Sequence, residues 1–542
     1  MFPRKWESSI IRALLGLAVR EDLNIHTMTT NLTRTQALVV VALIGITTSG
    51  TFLRLWALDR ESAYSDEVAS LQHLSAPDLG EFLRRVRVSD PPMTPGYFIV
   101  EYAWARLTGN SLYALRLLSV ALGVASIPLV FLLGQGAYGA LGGLTAAGLF
   151  AVSLPQVYYA QEMRPYALVL CLALVASLSM LRAVRGGRAW WAVNIAANVA
   201  LMWTHLFTVL FLLAQGAFLV FVSLRRRRSR VFLWWTAAHA PSALLLLAWV
   251  ESIDRANLEV AAAWRNEIVH SYLQPLGDFL LFSGAGVPLF RDVPAIGSLN
   301  AGSIMWRFFA LVFALHIALG VWRWKMRAGG SDSETEGSSR ETRCFLWTWL
   351  VVPPAALFLL SALLYACHSS RYVLYSSLPF FVLAGGTVTL VPRRALQGLL
   401  IAALLFMQGL AHHAYPRPWR PDIASAAAFL AEQDVSPATP VVVHIMADVP
   451  SMRFNGPPRM EELALTGENA IEGVPAHFDI AESGETRWLV LFQHQLGDAV
   501  IARTERAIGE RGWSIEKNSF GYASPIHVYR LRRDRATPAA GD

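Results

Sequence analysis

The chain has 542 residues, of which 54% are hydrophobic and only 16% are charged, and its mean hydropathy is +0.40. Because soluble domains carry about 25% charged residues, this composition argues against a water-soluble enzyme of several domains and excludes a disordered chain, a collagen and a coiled coil. The net charge of +7 comes almost entirely from arginine, since the chain has only three lysines, and it does not indicate nucleic-acid binding. The three cysteines lie in or beside apolar runs, so they predict neither a disulfide framework nor a metal site.

Apolar runs dominate the first three quarters of the chain. A membrane-crossing helix needs about 20 mainly apolar residues, and the stretch 10–19 is too short, so no cleavable signal peptide is predicted. Residues 1–35 are predicted to be a cytoplasmic segment, with Met28 as an alternative start to Met1. The predicted crossings are 36–53, 112–133, 139–155, 165–182, 189–204, 206–224, 231–250, 303–322, 345–367, 372–391 and 395–413. These eleven runs predict a polytopic α-helical membrane domain over residues 36–413.

A shorter apolar run, Pro95 to Leu107, carries Glu101 and Arg106 and predicts a helix at the membrane interface. With that assignment, twenty Lys and Arg residues share one side in short loops, and eleven Arg residues lie in longer loops opposite. If the run crossed instead, the basic loops would lie outside, against the positive-inside tendency. The segments predicted to lie outside the cytoplasm are 54–111, 155–164, 251–302, 368–371 and everything after 414.

The composition changes after the last crossing. Residues 414–542 alternate helical and strand patterns, beginning with a helix at Asp422 to Gln433 and ending with strands near Trp513 and Ile526. This pattern predicts a non-cytoplasmic α/β domain. Between Arg327 and Arg343 a Gly/Ser/Glu-rich stretch predicts a flexible cytoplasmic linker.

Unusual polar residues near the membrane ends converge on the outer side. They are Asp66 and Glu67 in the first outer loop, Asp90 before the interfacial helix, Tyr158 to Tyr166 with Glu162 and Arg164, His205, and the group His368, Arg371 and Tyr372. Ionisable groups that face a shared cavity at membrane ends are candidates for function.

Each of these residues also has a structural interpretation. The acids at 66 and 67 can occupy the first turn of a helix, and Asp90 can initiate a turn before two prolines. The tyrosines can belong to the interfacial aromatic belt. Glu162 and Arg164 can pair with each other, Arg371 can reach lipid headgroups, and His205 can be a structural histidine.

Taken together, these residues favour glycosyl transfer from a lipid phosphate. A carboxylate can take a proton from an acceptor hydroxyl, arginines can hold the departing phosphate, and aromatic rings can stack on sugars. The isoprenoid tail of the donor can lie among the apolar helices. The sequence has neither a Gly-rich phosphate loop nor a dinucleotide fingerprint, which argues against a nucleotide-sugar donor.

The run from Leu53 to Leu170 resembles bacterial membrane glycosyltransferases of the family 39 kind. These belong to the superfamily with the C-type glycosyltransferase (GT-C) fold, which includes protein mannosyltransferases and the aminoarabinose transferase that acts on lipid A. The matching features are the Asp-Glu pair at 66 and 67, Asp90 with its Pro pair and Tyr97, Gly109 to Arg116, the segment YYAQEMRPYAL, THLF at His205, and RYVLYSSLPFFVLAG from Arg371. Many relatives carry a His before the Pro pair, whereas here Asp90 runs directly into Pro91.

The resemblance implies a polyprenyl-phosphate-linked sugar donor and an inverting displacement on the outer face of the cytoplasmic membrane. It implies Asp66 as general base, Glu67 as its neighbour that tunes charge or positions the acceptor, and Asp90 as a further carboxylate on the acceptor side. Arg164 and Arg371 would contact the donor phosphate. The other residues implied to bind the donor phosphate or sugar are Tyr159, Glu162, Tyr166, His205 and Tyr372. The implied acceptor is a hydroxyl of a lipid, glycan or protein. Some members of the superfamily bind a divalent cation near the first acid and others do not, so the resemblance implies neither case for this chain.

Two other functions are compatible with an apolar groove beside an outer polar cluster. A flippase or transporter of lipid-linked sugars predicts ionisable groups in mid-membrane on more than one helix, and the predicted crossings carry almost no charge at their centres. A polymerase or ligase of surface polysaccharide depends on one large outer loop, whereas here the acids lie in the first loop. The transferase is therefore the favoured hypothesis.

Overall fold

The computed structural model describes residues 33–63, 65–89, 94–227, 230–252, 295–296, 299–326, 334–363, 370–414, 422–433, 441–444, 460–463, 486–492, 498–521 and 525–533. The chain forms two compact units. The first unit contains residues 1–56, 77–288 and 294–414, and the second contains residues 57–76, 289–293 and 415–542. The second unit therefore includes part of the first outer loop in addition to the C-terminal region.

Helices make up most of the first unit. In chain order the described α-helices are α1 Arg34–Leu55, α2 Ser65–Leu74, α3 Leu79–Ser89, α4 Pro95–Thr108, α5 Leu112–Val152, α6 Leu154–Ala160, α7 Tyr166–Val184, α8 Trp190–Thr204, α9 Val209–Arg226, α10 Arg230–Glu251, α11 Ala301–Met326, α12 Glu334–Leu363, α13 Ser377–Leu390, α14 Arg394–Ala414, α15 Ile423–Glu432 and α16 Asp498–Glu510. Two 3-10 helices, Leu206–Thr208 and Ser370–Ser376, precede α9 and α13.

Eight helical segments among the described residues are long and apolar enough to cross a membrane. Wherever the structure describes them, the eleven predicted runs lie on helices. The predicted class, a polytopic helical membrane protein with a C-terminal α/β part, is therefore confirmed. The predicted interfacial run corresponds to α4, which has 14 residues and is too short to cross a membrane.

The two predicted crossings at 112–133 and 139–155 belong to one long element, α5, with a bend at Gly139. Gly139 has φ +76° and ψ −177° inside the helix. A side chain at this φ would be strained, and glycine has no Cβ. The bend therefore divides α5 into two helical parts, 112–138 and 140–152, which correspond to the two predicted crossings, and Gly134 lies directly against Gly143 across it. α5 packs against α1, α7 and α13.

Neutral polar side chains connect α8, α9 and α10 within the membrane-spanning part. Asn198 Nδ2 donates to Gln215 Oε1 at 2.9 Å and contacts His239 Nε2 at 3.2 Å. Trp235 Nε1 donates to Asn194 Oδ1 at 2.9 Å. We call these five residues the amide network. Side-chain hydrogen bonds of this kind hold helices together where water is absent.

The second unit contains a five-stranded mixed sheet. Its strands are β3 Val441–His444, β4 Met460–Leu463, β5 Thr486–Phe492, β6 Trp513–Phe520 and β7 Ile526–Arg533, in the order β4-β3-β5-β7-β6. β3 is parallel to β4 and β5, whereas β7 is antiparallel to β5 and β6. A further antiparallel pair, β1 Ala295–Ile296 and β2 Leu299–Asn300, lies outside this sheet.

Helices cover both faces of this sheet. Ile423 and Leu430 of α15 pack on one face with Trp488 and Val528. On the other face, Ile501 and Ile508 of α16 pack against inward-facing residues of β5 to β7. These residues are Leu489, Leu491, Trp513, Tyr529 and Leu531. Alternate residues of β7 thus serve the two faces, as the period of a strand requires.

Candidate active site

The first-loop acids belong to the second unit. Asp66 and Glu67 occupy the first turn of α2, where the helix dipole favours negative charge. Glu67 is fully buried, whereas Asp66 is partly exposed. The assignment of Asp66 as general base stays a prediction.

Two of the predicted outer residues, Asp90 and His368, lie outside the described residues. The same holds for most of the outer loop predicted at 251–302, for residues 327–333 of the predicted linker and for residues 1–32. Their predicted roles are therefore carried only by the sequence. The prediction of a flexible linker is wrong for residues 334–343, which form the start of α12, where the buried Glu341 accepts a hydrogen bond from Arg226 Nη2 at 2.6 Å.

The segment from Tyr158 to Tyr166 is buried throughout. It begins in the last turn of α6, turns at residues 161–165 and enters α7 at Tyr166, with Pro165 as the N-cap residue of α7. Tyr159 and Tyr166 are only 1% and 2% exposed. Residues of an interfacial aromatic belt face lipid, so this burial argues against that interpretation of the two tyrosines.

A run of aromatic rings extends from this segment to two distant parts of the chain. The rings of Tyr159 and Tyr166 are 4.6 Å apart, and Tyr166 lies 6.1 Å from His205. His205 lies 5.3 Å from Tyr372, which stacks on Phe207 at 4.7 Å with an interplanar angle of 7°. We call these five residues the Tyr159 cluster. Three predicted segments of the sequence thus meet at one place in the first unit.

His205 has a structural contact as well as a place in the cluster. It ends α8 in an extended conformation, and its Nδ1 accepts a hydrogen bond from the backbone nitrogen of Phe207 at 3.3 Å. This contact caps the 3-10 helix Leu206–Thr208 and fixes the ring between its two tyrosine neighbours. The structural interpretation of this histidine and its place beside the predicted donor site are therefore compatible.

Arg371 lies beside the Tyr159 cluster. Its guanidinium is 5.6 Å from the centre of the Tyr372 ring, a distance at which a cation is attracted to an aromatic face. Burial raises the pKa of Tyr159 well above its usual value, Tyr166 and Glu162 raise it further, and the positive charge of Arg371 opposes them. Glu162 and Arg371 therefore both lie within electrostatic reach of the Tyr159 phenol.

Arg164 faces α4. The guanidinium lies 5.7 Å from the ring of Phe98, and Arg164 is 1% exposed. Next to Phe98, Tyr97 Oη donates to Oε1 of Glu101, which lies one turn further along α4, at 3.1 Å. Burial and the nearby Glu101 raise the pKa of Tyr97, and the charge of Arg164 lowers it. Arg164 thus shares a buried polar region with Tyr97 and Glu101.

Sequence reasoning did not assign a role to Glu101 or Arg116. The structure buries both side chains to 1% exposure. The signal for Glu101 was its spacing of four residues from Tyr97 in an otherwise apolar run, which places both side chains on one helix face. The sequence predicts an interfacial helix there and no role for Glu101, and the structure buries this carboxylate.

Among the described residues, no group of three or more His, Cys, Asp or Glu side chains could hold a metal ion. In the first unit the nearest carboxylate to the Tyr159 cluster is Glu162, which acts on Tyr159 together with the cation Arg371. Two guanidiniums can bind an anion, and the phenols and the histidine can form hydrogen bonds with a polar group attached to that anion. The chemistry of this set therefore fits a phosphate bound to a sugar.

Comparisons with known proteins bear on both the fold and the region of this cluster. Residues 89–250 match the family model PMT_2, dolichyl-phosphate-mannose-protein mannosyltransferase. No curated protein matches the chain. The chain resembles the crystal structure of ArnT from Cupriavidus metallidurans bound to undecaprenyl phosphate, with a TM-score of 0.50 and 14% identity over 93% of this chain and 99% of that chain. The apo structure of the same protein gives 0.50 and 13% over 92% and 98%.

The apo oligosaccharyltransferase of Archaeoglobus fulgidus gives a TM-score of 0.47 and 13% identity over 90% of this chain and 74% of that chain. The family match includes α4, the segment 158–166 and His205. The resemblance seen in the sequence is confirmed: the chain has the GT-C fold and resembles membrane glycosyltransferases of that superfamily.

Proposed function

We propose that this chain, a membrane glycosyltransferase of the GT-C type by its family match and fold, moves a sugar from a polyprenyl phosphate to a hydroxyl acceptor. The transfer would take place on the outer face of the cytoplasmic membrane. The observation that carries this proposal is the pair of guanidiniums beside aromatic rings of the first unit: Arg164 is buried against Phe98, and the half-buried Arg371 lies beside Tyr372. A buried guanidinium needs an anion or several acceptors around it, and a lipid phosphate can supply the anion.

The donor phosphate would be held by Arg164 and Arg371, because guanidiniums bind phosphate oxygens through paired hydrogen bonds. The rings of Tyr159 and Tyr166 would line the sugar, and His205 would keep Tyr372 in place. The apolar helices would accommodate the prenyl chain, and the ArnT structure with undecaprenyl phosphate supports a donor of this class.

The reaction would be a single displacement with inversion at the anomeric carbon. The acceptor oxygen forms a bond to sugar C1 while the bond from C1 to the phosphate oxygen breaks, and the polyprenyl phosphate leaves with that electron pair. Asp66 would take the proton of the acceptor hydroxyl, which contributes about a hundredfold or more to the rate. Glu67 would tune or position this base, and Asp90 would act on the acceptor side. The arginines would stabilise the negative charge that develops on the leaving phosphate.

The test of this function uses Asp66→Asn beside Asp59→Asn, an exposed acid of the same loop. Sugar transfer is measured in membranes that contain the full chain and lipid extracts with polyprenyl-phosphate sugars. Asp66→Asn should reduce transfer by about a hundredfold or more because the base is lost, whereas Asp59→Asn should transfer at the wild-type rate. Wild-type transfer by Asp66→Asn would overturn its assignment as base.

Mass spectrometry of glycolipids and surface glycans from cells lacking the chain identifies the substrates. A missing or shortened species would give the sugar and the acceptor together. A missing species combined with lipid-linked sugar retained on the cytoplasmic side would instead support a flippase, and an unchanged glycan profile would count against both functions.

A further inference from the structure

Arg54 is a buried arginine at the outer end of α1 that no predicted role uses. It is fully buried. Its Nη1 donates to the carbonyl oxygens of Ala151 at 2.8 Å and Gly50 at 3.0 Å, and its Nη2 donates to Phe150 O at 3.4 Å. Because α5 ends at Val152, the carbonyls of Phe150 and Ala151 belong to its last turn, where the helix offers them no partner. Arg54 therefore caps the end of α5, and its charge suits a helix C-terminus.

Gln161 makes the opposite connection. Its Nε2 donates to the carbonyl oxygens of Arg54 at 2.8 Å, Trp56 at 3.0 Å and Leu53 at 3.4 Å. These carbonyls lie at the end of α1, which terminates at Leu55. Gln161 thus caps the helix from which Arg54 extends. Arg54, at the end of α1, thus binds the last carbonyls of α5, and Gln161, just after α6, binds the last carbonyls of α1. We call this pair of side chains the reciprocal clasp.

The packing around the clasp leaves no space for adjustment. A Cβ at Gly123 of α5 would lie 3.1 Å from Arg54 Nε and 2.8 Å from the Cβ of Ala160. Distances this short require a neighbour to move, so glycine at this position lets α5 approach both Arg54 and the end of α6. The clasp is therefore tightly enclosed by well-packed groups.

The clasp holds both ends of one short stretch of chain. Arg54 binds the carbonyls just before α6, and Gln161 follows α6 directly. This stretch carries Tyr159, and the chain continues from Gln161 through Glu162 to Arg164. A side chain is oriented accurately only when its backbone is fixed by neighbouring contacts. Movement of this stretch would displace Tyr159 and Arg164 together.

We propose that Arg54 and Gln161 are positioning residues for the donor site, because their reciprocal capping fixes the backbone that presents Tyr159 and Arg164. This inference rests on the proposed function, in which Arg164 holds the donor phosphate. Neither Arg54 nor Gln161 contacts the substrate in this proposal. Their loss should weaken donor binding more than it slows transfer at saturating donor.

The test uses the full chain in lipid nanodiscs and undecaprenyl phosphate as the probe. Gln161→Met keeps the length of the side chain and removes its donor, and it should raise the Kd for undecaprenyl phosphate about tenfold. In membranes, the KM for the donor should rise in proportion, and kcat should stay within about threefold of wild type. A general loss of folding would lower both binding and kcat, so this split separates positioning from a merely structural role.

The matched control is Gln215→Leu, which removes a buried amide of the amide network far along the chain. It should bind the probe like wild type. Arg54→Lys keeps the charge and one donor, so its Kd should lie between those of wild type and Arg54→Met. If Gln161→Met does not assemble, Gln161→Asn, shorter by one methylene, carries the test with an expected rise of about threefold.

The outcomes separate this proposal from the proposed function. If Arg164→Ala loses probe binding while Gln161→Met and Gln161→Asn bind like wild type, the positioning role is wrong and the donor site stands. If Gln215→Leu weakens binding as much as Gln161→Met, the effect is general and the positioning role is also wrong. If the wild-type chain does not bind undecaprenyl phosphate, the proposed function itself is overturned, and the positioning role with it.

Discussion

The Tyr159 cluster and the amide network are both buried polar regions of the first unit, but they differ in charge. In the amide network, His239 Nδ1 donates to the carbonyl of Trp235 at 2.7 Å, and Asn198 Nδ2 approaches His239 Nε2. An Nε2 that accepts a hydrogen bond belongs to a neutral imidazole, so this region is uncharged. Beside the Tyr159 cluster, by contrast, lie Arg371 and Glu162, which carry charge.

The difference shows two uses of buried polarity in a membrane protein. Neutral amides can satisfy one another between helices, and their contribution is to helix association. Guanidiniums among phenols create a positive potential that an incoming phosphate can use. We therefore expect substitutions in the two regions to separate stability from donor binding.

The largest effect should come from Arg164→Ala. Removing one of the two cations proposed to hold the donor phosphate should lower kcat/KM for the donor about a hundredfold, ~2.7 kcal/mol. Donor titration at a fixed acceptor concentration measures it, with Arg371→Ala beside it. Arg106→Ala is the control, since this exposed arginine of α4 bonds to Tyr102 on the same helix. An unchanged donor dependence in both Arg164→Ala and Arg371→Ala would remove the phosphate role from this region.

An intermediate effect, on stability alone, is expected for Asn198→Leu. Asn198 loses its contacts with Gln215 and His239, which should reduce the free energy of unfolding by about 1 kcal/mol. The KM for the donor should stay at the wild-type value because the amide network does not contact the donor. Thermal unfolding in detergent and donor titration measure the two quantities. A raised KM with unchanged stability would contradict the division between the regions.

The smallest effect concerns the buried His527 of the second unit. Burial and then Lys517 lower the pKa of His527 to about 4, against the opposing charges of Glu505 and Asp498. Between about pH 6.5 and pH 4 the unfolded state therefore binds a proton that the folded state does not. Stability should be complete above pH 6.5 and should fall as the pH decreases towards 4, by about 1 to 3 kcal/mol.

Hydrogen exchange of β6 and β7 in the full chain, corrected for intrinsic rates, measures this loss. His527→Gln should flatten the pH dependence. Burial raises the pKa of Glu505, but hydrogen bonds from Lys517 and Tyr529 outweigh it, so the pKa is lowered. Protonation of Glu505 therefore also reduces the stability of the fold as the pH falls, and His527→Gln should retain a residual dependence of stability on pH. An equal slope in His527→Gln and wild type would exclude the histidine as a source.

Apolar length and periodicity were sufficient to predict the membrane helices, because the bilayer requires about 20 apolar residues per crossing. The same reasoning predicted the strands near Trp513 and Ile526, which are β6 and β7. It did not predict β4, Met460–Leu463, since the sequence MEEL has no alternation and the strand pairs only with the parallel β3. Strand pairing between distant segments has no local signal.

The site was predicted in part. The YYAQEMRPY segment, His205 and Tyr372 were expected to lie together, and in the first unit their rings form one cluster. The burial of Glu101 was not predicted, because a helix at the membrane interface does not by itself indicate which of its side chains the rest of the protein covers. The reciprocal clasp was also not predicted, since its partners are 96 to 108 residues apart and bond through backbone carbonyls. Because every residue has a backbone carbonyl, an acceptor of this kind cannot be recognised from the side chains in the sequence.

The same clasp has a consequence for biogenesis. The carbonyl that accepts from Arg54 at the end of α5 lies 97 residues further along the chain. At translation rates of about 5–20 residues per second, α1 must reside in the bilayer for several seconds before that acceptor emerges from the ribosome. During this interval the guanidinium can reach headgroup phosphates at the outer surface. We therefore expect α1 to leave the insertion machinery at one depth in the bilayer and to move deeper once Arg54 can bind the carbonyls at the end of α5.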